Sequence, residues 1–277
     1  MRDEQHLTDT TIAFIGGGNM ASAIIGGLLR QGGSASHLRV VEPYEAARAK
    51  LAADFGLTAQ AEACPALADA DVVVWAVKPQ AFRDAAAPVR EHASRALHLS
   101  VAAGIRSDSI AQWLGTQRVV RAMPNTPALV GQGMTGLFGR DAVTADDRAV
   151  VQGVLGSTGE LMWMDAEEQL DAVTALSGSG PAYVFYFLEA MREAGTAMGL
   201  SAEQATRLAV GTFRGGAALA AASNDPPEVL RERVTSKGGT THAALTAMEA
   251  AGMKASFVKA LQAARARAVE LGDEFGA

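Results

Sequence analysis

Ile12-Ala13-Phe14-Ile15-Gly16-Gly17-Gly18-Asn19-Met20-Ala21 decides the fold. Four apolar residues predict a short buried strand, and the G-x-G-x-x-A spacing that follows predicts a tight turn feeding straight into a helix. Gly16 permits the turn, Gly18 lets backbone come close to a ligand, and Ala21 is small enough for the helix to pack on the strand. A helix started this way offers unpaired N–H groups to a pyrophosphate. Ile15, Gly16, Gly17, Gly18, Asn19 and Met20 are therefore candidate dinucleotide-binding residues.

Working outward, short β-branched runs alternate with Ala-rich helical segments as far as Asp165, the rhythm of βαβ units in a parallel sheet. The predicted strands are Ile12–Ile15, Leu38–Glu42, Val72–Val77, Leu97–Val101, Val119–Met123, Met134–Phe138 and Glu160–Met164. Val72-Val73-Val74-Trp75-Ala76-Val77 is apolar throughout, as expected of a strand covered on both faces. After Met164 the strand signals stop. The sequence thus predicts an α/β chain: an N-terminal Rossmann-type doubly wound sheet over residues 1–165, then an all-helical domain over residues 166–277. Thr144 and Ser201 each precede helical segments with the spacing of a capping box.

Ligands of open α/β sheets bind outside the carboxyl ends of the strands, so those ends carry the next candidates. Glu42 ends the second strand, where a carboxylate accepts from an adenosine-ribose 2′-hydroxyl and repels a 2′-phosphate; Arg48 and Lys50 are the nearest downstream cations. Ala76, Val77, Lys78 and Pro79 end the third strand, with Lys78 placed either to reach a phosphate or to sit in solvent. Ala102, Ala103 and Gly104 leave room for a nicotinamide ribose. Asn125, between Pro124 and Pro127, is presented on a pinned loop as a candidate ligand-binding amide, although turn formation accounts for it equally well.

A second informative stretch lies far downstream: Val234-Thr235-Ser236-Lys237-Gly238-Gly239-Thr240-Thr241-His242-Ala243-Ala244-Leu245. Paired glycines among hydroxyl side chains give a backbone able to hug a small anion, with Gly238, Gly239 and Thr240 offering N–H groups to a carboxylate. The competing reading is helix N-capping by Thr240 or Thr241. Between the two motifs, Ser177-Gly178-Ser179-Gly180-Pro181 opens a helix that reads Ala182-Tyr183-Val184-Phe185-Tyr186-Phe187-Leu188. It is apolar on every side, which predicts burial on two sides and a second subunit to provide it.

The chain has 277 residues and a net charge of −6. Its 24 Lys and Arg are scattered, so no basic footprint for nucleic acid is expected. The longest apolar run is too short for a membrane span. The single cysteine, Cys64, forms no intrachain pair, and Met1–Thr11 lacks an apolar targeting run, so a reducing cytoplasm is the expected location. No metal-ligand spacing, nucleophile elbow or Walker loop is present.

Together, Gly16–Ala21, Ala76–Pro79, Arg121–Pro127, Ser177–Tyr183 and Val234–Leu245 resemble, in order, the segments of the pyrroline-5-carboxylate reductase family. The resemblance implies reduction of 1-pyrroline-5-carboxylate to L-proline by NADPH or NADH, and a helical C-terminal domain that interlocks with a partner into a homodimer, with rings of dimers in many members. It implies that Thr241, the expected catalytic residue, hydrogen-bonds the ring nitrogen, with Ser236 a second candidate beside it. In two respects the chain departs from the family: Lys237 stands where proline is usual, and Glu42 sits uneasily with the usual NADPH. Two other readings stay open, a related cyclic-imine or β-hydroxyacid reductase and a non-catalytic NAD(P)H-binding sensor. The β-hydroxyacid reading lacks a lysine between Lys78 and Lys237, and the sensor reading has no need of the 236–241 loop.

Overall fold

A computed structural model describes residues 10–276. The chain divides into two compact units, one running through Ser179 and including the stretch from Ala264 onward, the other spanning Gly180 to Ala263.

The first unit is built on seven strands, β1 (Ile12–Ile15), β2 (Leu38–Val41), β3 (Val72–Trp75), β4 (Leu97–Ser100), β5 (Val119–Met123), β6 (Gly133–Gly139) and β7 (Gly159–Trp163). Their spatial order is β2-β1-β3-β4-β5-β6-β7. Helices α1 (Asn19–Arg30), α2 (Glu45–Phe55), α3 (Pro79–Ala93), α4 (Ser107–Leu114) and α5 (Ala145–Gly156) connect them, and α6 (Gln169–Val173) follows the last strand. Alternation along the central strands sorts the core into two layers. Ile12, Phe14, Val72, Val74, Leu97 and Leu99 pack with Ile24, Ile25 and Leu28 of α1 and Val151, Val154 and Leu155 of α5. Ala13, Ile15, Val73 and Trp75 pack on the other face with Phe82 and Val89 of α3 and Ile110 and Leu114 of α4. Helices on both faces of a mostly parallel sheet make the doubly wound arrangement that the sequence predicts.

All seven predicted strands are present, with ends shifted by at most two residues. One pairing departs from the expected parallel pattern: β6 runs antiparallel to β5, with Arg121 opposite Phe138. The connection between them is a single 3₁₀ turn at Thr126–Val130, too short for the helical crossover that a parallel neighbour requires. Both predicted capping boxes form, Thr144 with Asp147 and Ser201 with Gln204.

Register decides what the sheet can bind. Ile15 pairs with Val41 on one side and Trp75 on the other, and Trp75 pairs with Ser100. The carboxyl ends of β2, β1, β3 and β4 therefore finish in one row. Gly16 N–H donates to Val41 O at 2.8 Å, Ala76 N–H to Ile15 O at 2.8 Å and Val101 N–H to Trp75 O at 3.0 Å. Strand order reverses at β1, so the loops after β1 and β3 diverge and open a crevice.

The second unit holds α7 (Gly180–Ala197), α8 (Ala202–Ala221), α9 (Pro227–Arg233), α10 (Thr240–Ala250) and the start of α11 (Met253–Phe275). Helices α7 and α8 approach closely at Gly195, where an added Cβ would lie 2.8 Å from that of Ala205. Phe257 meets Tyr183 and Phe187 edge to face, with centroids 5.7 Å apart in both pairs. Little else is interior. Phe185, Tyr186, Leu208 and Leu219 all stand in the open and give this unit an exposed apolar surface.

Candidate active site

Four of the predicted cofactor-binding segments meet in the crevice. Gly16 adopts φ +95, and a Cβ there would fall 2.6 Å from the Ala76 carbonyl oxygen. Only glycine fits this approach of the β1 turn to the β3 end. Gly18 faces open space and is the N-cap of α1 without a side-chain bond, so the first amides of α1, at Asn19 and Met20, remain available. These are the features a dinucleotide pyrophosphate needs, a glycine-lined approach and an uncapped helix N-terminus. These residues fit the cofactor.

The remaining predicted residues divide. Val77 and Lys78 follow β3, and Lys78 is the N-cap of α3 with its side chain exposed and Pro79 in the first turn. Ala102 is buried and Ala103 half-buried, while Gly104 lies against Leu271 and Phe275 of the returning end of α11. Glu42 is buried, at 5% exposure, and each of its oxygens accepts a backbone hydrogen bond. Oε2 accepts from Gly17 N–H at 2.7 Å and Oε1 from Tyr44 N–H at 2.9 Å. The carboxylate expected on the ribose thus braces the glycine turn itself.

Asn125 is similarly engaged within the first unit. Its Oδ1 accepts from Met134 N–H at 3.0 Å, and its Nδ2 donates to Ser177 O at 3.2 Å and Ser177 Oγ at 3.3 Å. Ser177 Oγ donates onward to Met134 O at 3.2 Å. The amide ties the start of β6 to the π-helical turn Thr174–Gly178, so its polar groups hold the chain's own backbone.

In the second unit, Gly238 takes φ +74, a left-handed conformation in which Lys237 is followed by the one residue type without a steric penalty. Gly239 caps α10 without any side-chain bond, and its N–H donates to Ser236 O at 3.0 Å. The Gly239 amide is thereby removed from the expected carboxylate cradle. Gly238, Thr240 and Thr241 keep theirs, and Ala243 N–H closes the first helical bond to Gly239 O. Neither threonine hydroxyl caps the helix, which answers the competing reading of these residues. Ser236, Thr240 and Thr241 are exposed in the single chain.

A buried ionic network went unread in the sequence. Arg121, 6% exposed, donates to Glu167 Oε1 at 2.6 Å. Glu167 also accepts from Ser107 N–H at 2.6 Å and Ser107 Oγ at 2.5 Å. Arg106 reaches Asp171 through both terminal nitrogens, at 3.1 and 2.9 Å. Burial pushes the Arg121 guanidinium below its ordinary pKa, and the Glu167 charge offsets part of that. No periodicity marks such pairs, because partners 46 and 65 residues apart meet only through the fold. Among the described residues no group of acids, histidines or cysteines could hold a metal ion, and no helix is long and apolar enough to cross a membrane.

Fold and site define a nicotinamide-dinucleotide oxidoreductase with a Rossmann-type N-terminal domain and a helical C-terminal one. Residues 11–104 match the family model of NADP oxidoreductases, coenzyme F420-dependent, and residues 167–271 match the model for pyrroline-5-carboxylate reductase dimerisation. A pyrroline-5-carboxylate reductase of Pseudomonas aeruginosa is 46% identical over 96% of this chain and 98% of its own, and one of Glycine max is 35% identical over 94% and 96%. Among solved structures, the pyrroline-5-carboxylate reductase of Coxiella burnetii superposes with a TM-score of 0.88 at 37% identity, covering 95% of this chain and 98% of that one. The Plasmodium falciparum pyrroline carboxylate reductase, solved with NADP bound, gives 0.86 at 27% identity over 96% and 99%. The chain belongs to the pyrroline-5-carboxylate reductase family.

Proposed function

We propose that this protein reduces 1-pyrroline-5-carboxylate to L-proline at the expense of NAD(P)H, the closing step of proline biosynthesis. The nicotinamide cofactor supplies the hydride that the imine carbon C5 receives. Gly16, Gly17, Gly18, Asn19 and Met20 hold the pyrophosphate, with Ala76, Val77, Lys78, Pro79, Ala102, Ala103 and Gly104 lining the crevice beyond. Residues 1–165 carry this task, and residues 166–277 carry substrate binding and dimerisation.

The observation that carries the substrate side is the open N-terminus of α10. Gly238 in a left-handed turn and Gly239 as a bare cap leave the amides of Gly238, Thr240 and Thr241 free to receive a carboxylate. The partial positive charge of a helix N-terminus adds to that attraction. Thr241 orients the ring nitrogen as that atom gains its proton. A threonine hydroxyl is a weak acid, so its part is positioning, and an imine that arrives protonated needs no protein acid. Lys237 adds a cation beside the same loop.

The working form is a homodimer, with rings of dimers the expected larger assembly, because the second unit leaves Phe185, Tyr186, Leu208 and Leu219 uncovered by its own chain. A lone cysteine, Cys64, suits a reducing cytoplasm. The test is the oxidation of NADPH and of NADH by the purified protein, with pyrroline-5-carboxylate and, beside it, the six-membered piperideine carboxylate. One methylene is worth only about 1–3 kcal/mol to a pocket, so the expected result is faster turnover of the five-membered ring with residual activity on the larger one. Ligand binding without oxidation of either cofactor would establish the sensor reading instead.

A further inference from the structure

The reading of a nicotinamide site leaves open which group recognises the adenosine ribose, and the end of β2 bears on it. Glu42 stands where an acid would select NADH, yet its carboxylate is buried and turned inward onto Gly17 N–H and Tyr44 N–H. Two amide donors stabilise that charge and anchor it away from the rim. Above it lies Arg48, in the first turns of α2. Its Nη1 donates to the Glu42 carbonyl at 2.9 Å and to the Pro43 carbonyl at 2.7 Å. A guanidinium has five N–H donors in a rigid fork. With Nη1 spent on the two carbonyls, the Nη2 and Nε donors have no partner among the described residues. The side chain is half-buried, held in place but not covered.

Other cations around the site are committed elsewhere or lie away from this strand end. Lys50 pairs with Asp54 and Arg39 with Asp69 at 3.0 Å. Lys78 follows β3 and so lies on the opposite side of β1 from β2. Arg48 alone among these combines a fixed position beside the β2 end with unspent planar donors.

We infer that Arg48 is the specificity residue of the cofactor site, binding the 2′-phosphate of NADPH, while Glu42 is a positioning residue for the glycine turn. This rests on the proposed reductase reading. It reconciles an acid at the β2 end with use of a phosphorylated cofactor: the phosphate meets the fork of Arg48, and the Glu42 carboxylate is buried against backbone donors.

The test is calorimetric titration of NADP⁺, NAD⁺, 2′,5′-ADP and 5′-AMP into the full-length protein and into Arg48→Gln and Glu42→Gln. Loss of a charge-assisted phosphate contact is expected to weaken NADP⁺ and 2′,5′-ADP by about tenfold in Arg48→Gln, with NAD⁺ and 5′-AMP unchanged. Glu42→Gln, which cannot accept both amide protons, is expected to weaken both dinucleotides together. An unchanged ratio of NADP⁺ to NAD⁺ affinity in Arg48→Gln overturns the inference. A selective gain in NADP⁺ affinity in Glu42→Gln also overturns it, since that would mark Glu42 as a charge facing the phosphate. Unmodified protein that binds 2′,5′-ADP no better than 5′-AMP overturns it without any variant. If the unmodified protein binds none of the four, the reductase reading itself fails.

Discussion

Buried His98 makes stability depend on pH in a window that its surroundings define. It sits on β4 at 1% exposure and accepts the Trp75 indole N–H on Nδ1 at 3.0 Å, while Trp75 stacks on Phe82 with centroids 4.5 Å apart. Burial lowers its pKa from 6.5 to about 4, with the Ala93 backbone opposing and the Arg118 charge adding to the shift. Below about pH 6.5 the unfolded chain takes up a proton that the folded chain refuses until about pH 4. The unfolded state therefore binds more protons across this window, and stability complete above it is withdrawn as pH falls through it. For these two values the loss between pH 7 and pH 5 is about 2 kcal/mol from this one side chain. In His98→Asn the amide oxygen still accepts from Trp75 and nothing titrates. Urea unfolding at fixed protein concentration, followed by tryptophan fluorescence at both pH values, should show the wild type losing about 2 kcal/mol more than the variant. Equal losses in the two proteins would refute the reasoning.

Gly16→Ala combines a left-handed backbone with a contact to the Ala76 carbonyl and should cost about 3 kcal/mol or more, read as a lower urea midpoint together with weakened dinucleotide binding. Thr241→Ala should lower kcat by about tenfold, in line with one lost hydrogen bond to a charged group, while leaving dinucleotide affinity unchanged; an unaltered kcat removes Thr241 from the reaction. Arg121→Met strands Glu167 in the interior and should cost about 3–5 kcal/mol, part of which returns in Arg121→Met/Glu167→Gln; a double variant no more stable than the single one would argue against the pair. Phe185→Glu places a charge on the uncovered face of α7 and should shift light scattering to a smaller species, and an unchanged mass would move the subunit interface elsewhere.

Much of this molecule is legible in one dimension. Strand signals are local: the apolar runs at 12–15 and 72–77 and the turn at 16–21 carry their own steric and hydrophobic reasons, so the α/β class and the seven strands followed from sequence. The capping boxes at Thr144 and Ser201 were equally local, each closing within four residues. The all-round apolar character of α7 was legible in the same way, from local composition.

Only the tertiary structure decided how polar side chains were spent. Glu42 and Asn125 looked available because their residue types fit a ligand, but each meets partners brought to it by register or by a distant turn: Gly17 lies 25 residues from Glu42, and Ser177 52 residues from Asn125. Sequence could not free the threonine hydroxyls of capping duty either, since the cap falls on Gly239 only once the backbone angles are set. It could not reverse β6, whose direction follows from a connection too short to cross the sheet, nor pin Arg48 over the β2 end. Hydrophobic burial and backbone sterics are written into neighbouring residues, whereas a hydrogen bond or ion pair between distant residues exists only after the chain has closed the loop between them.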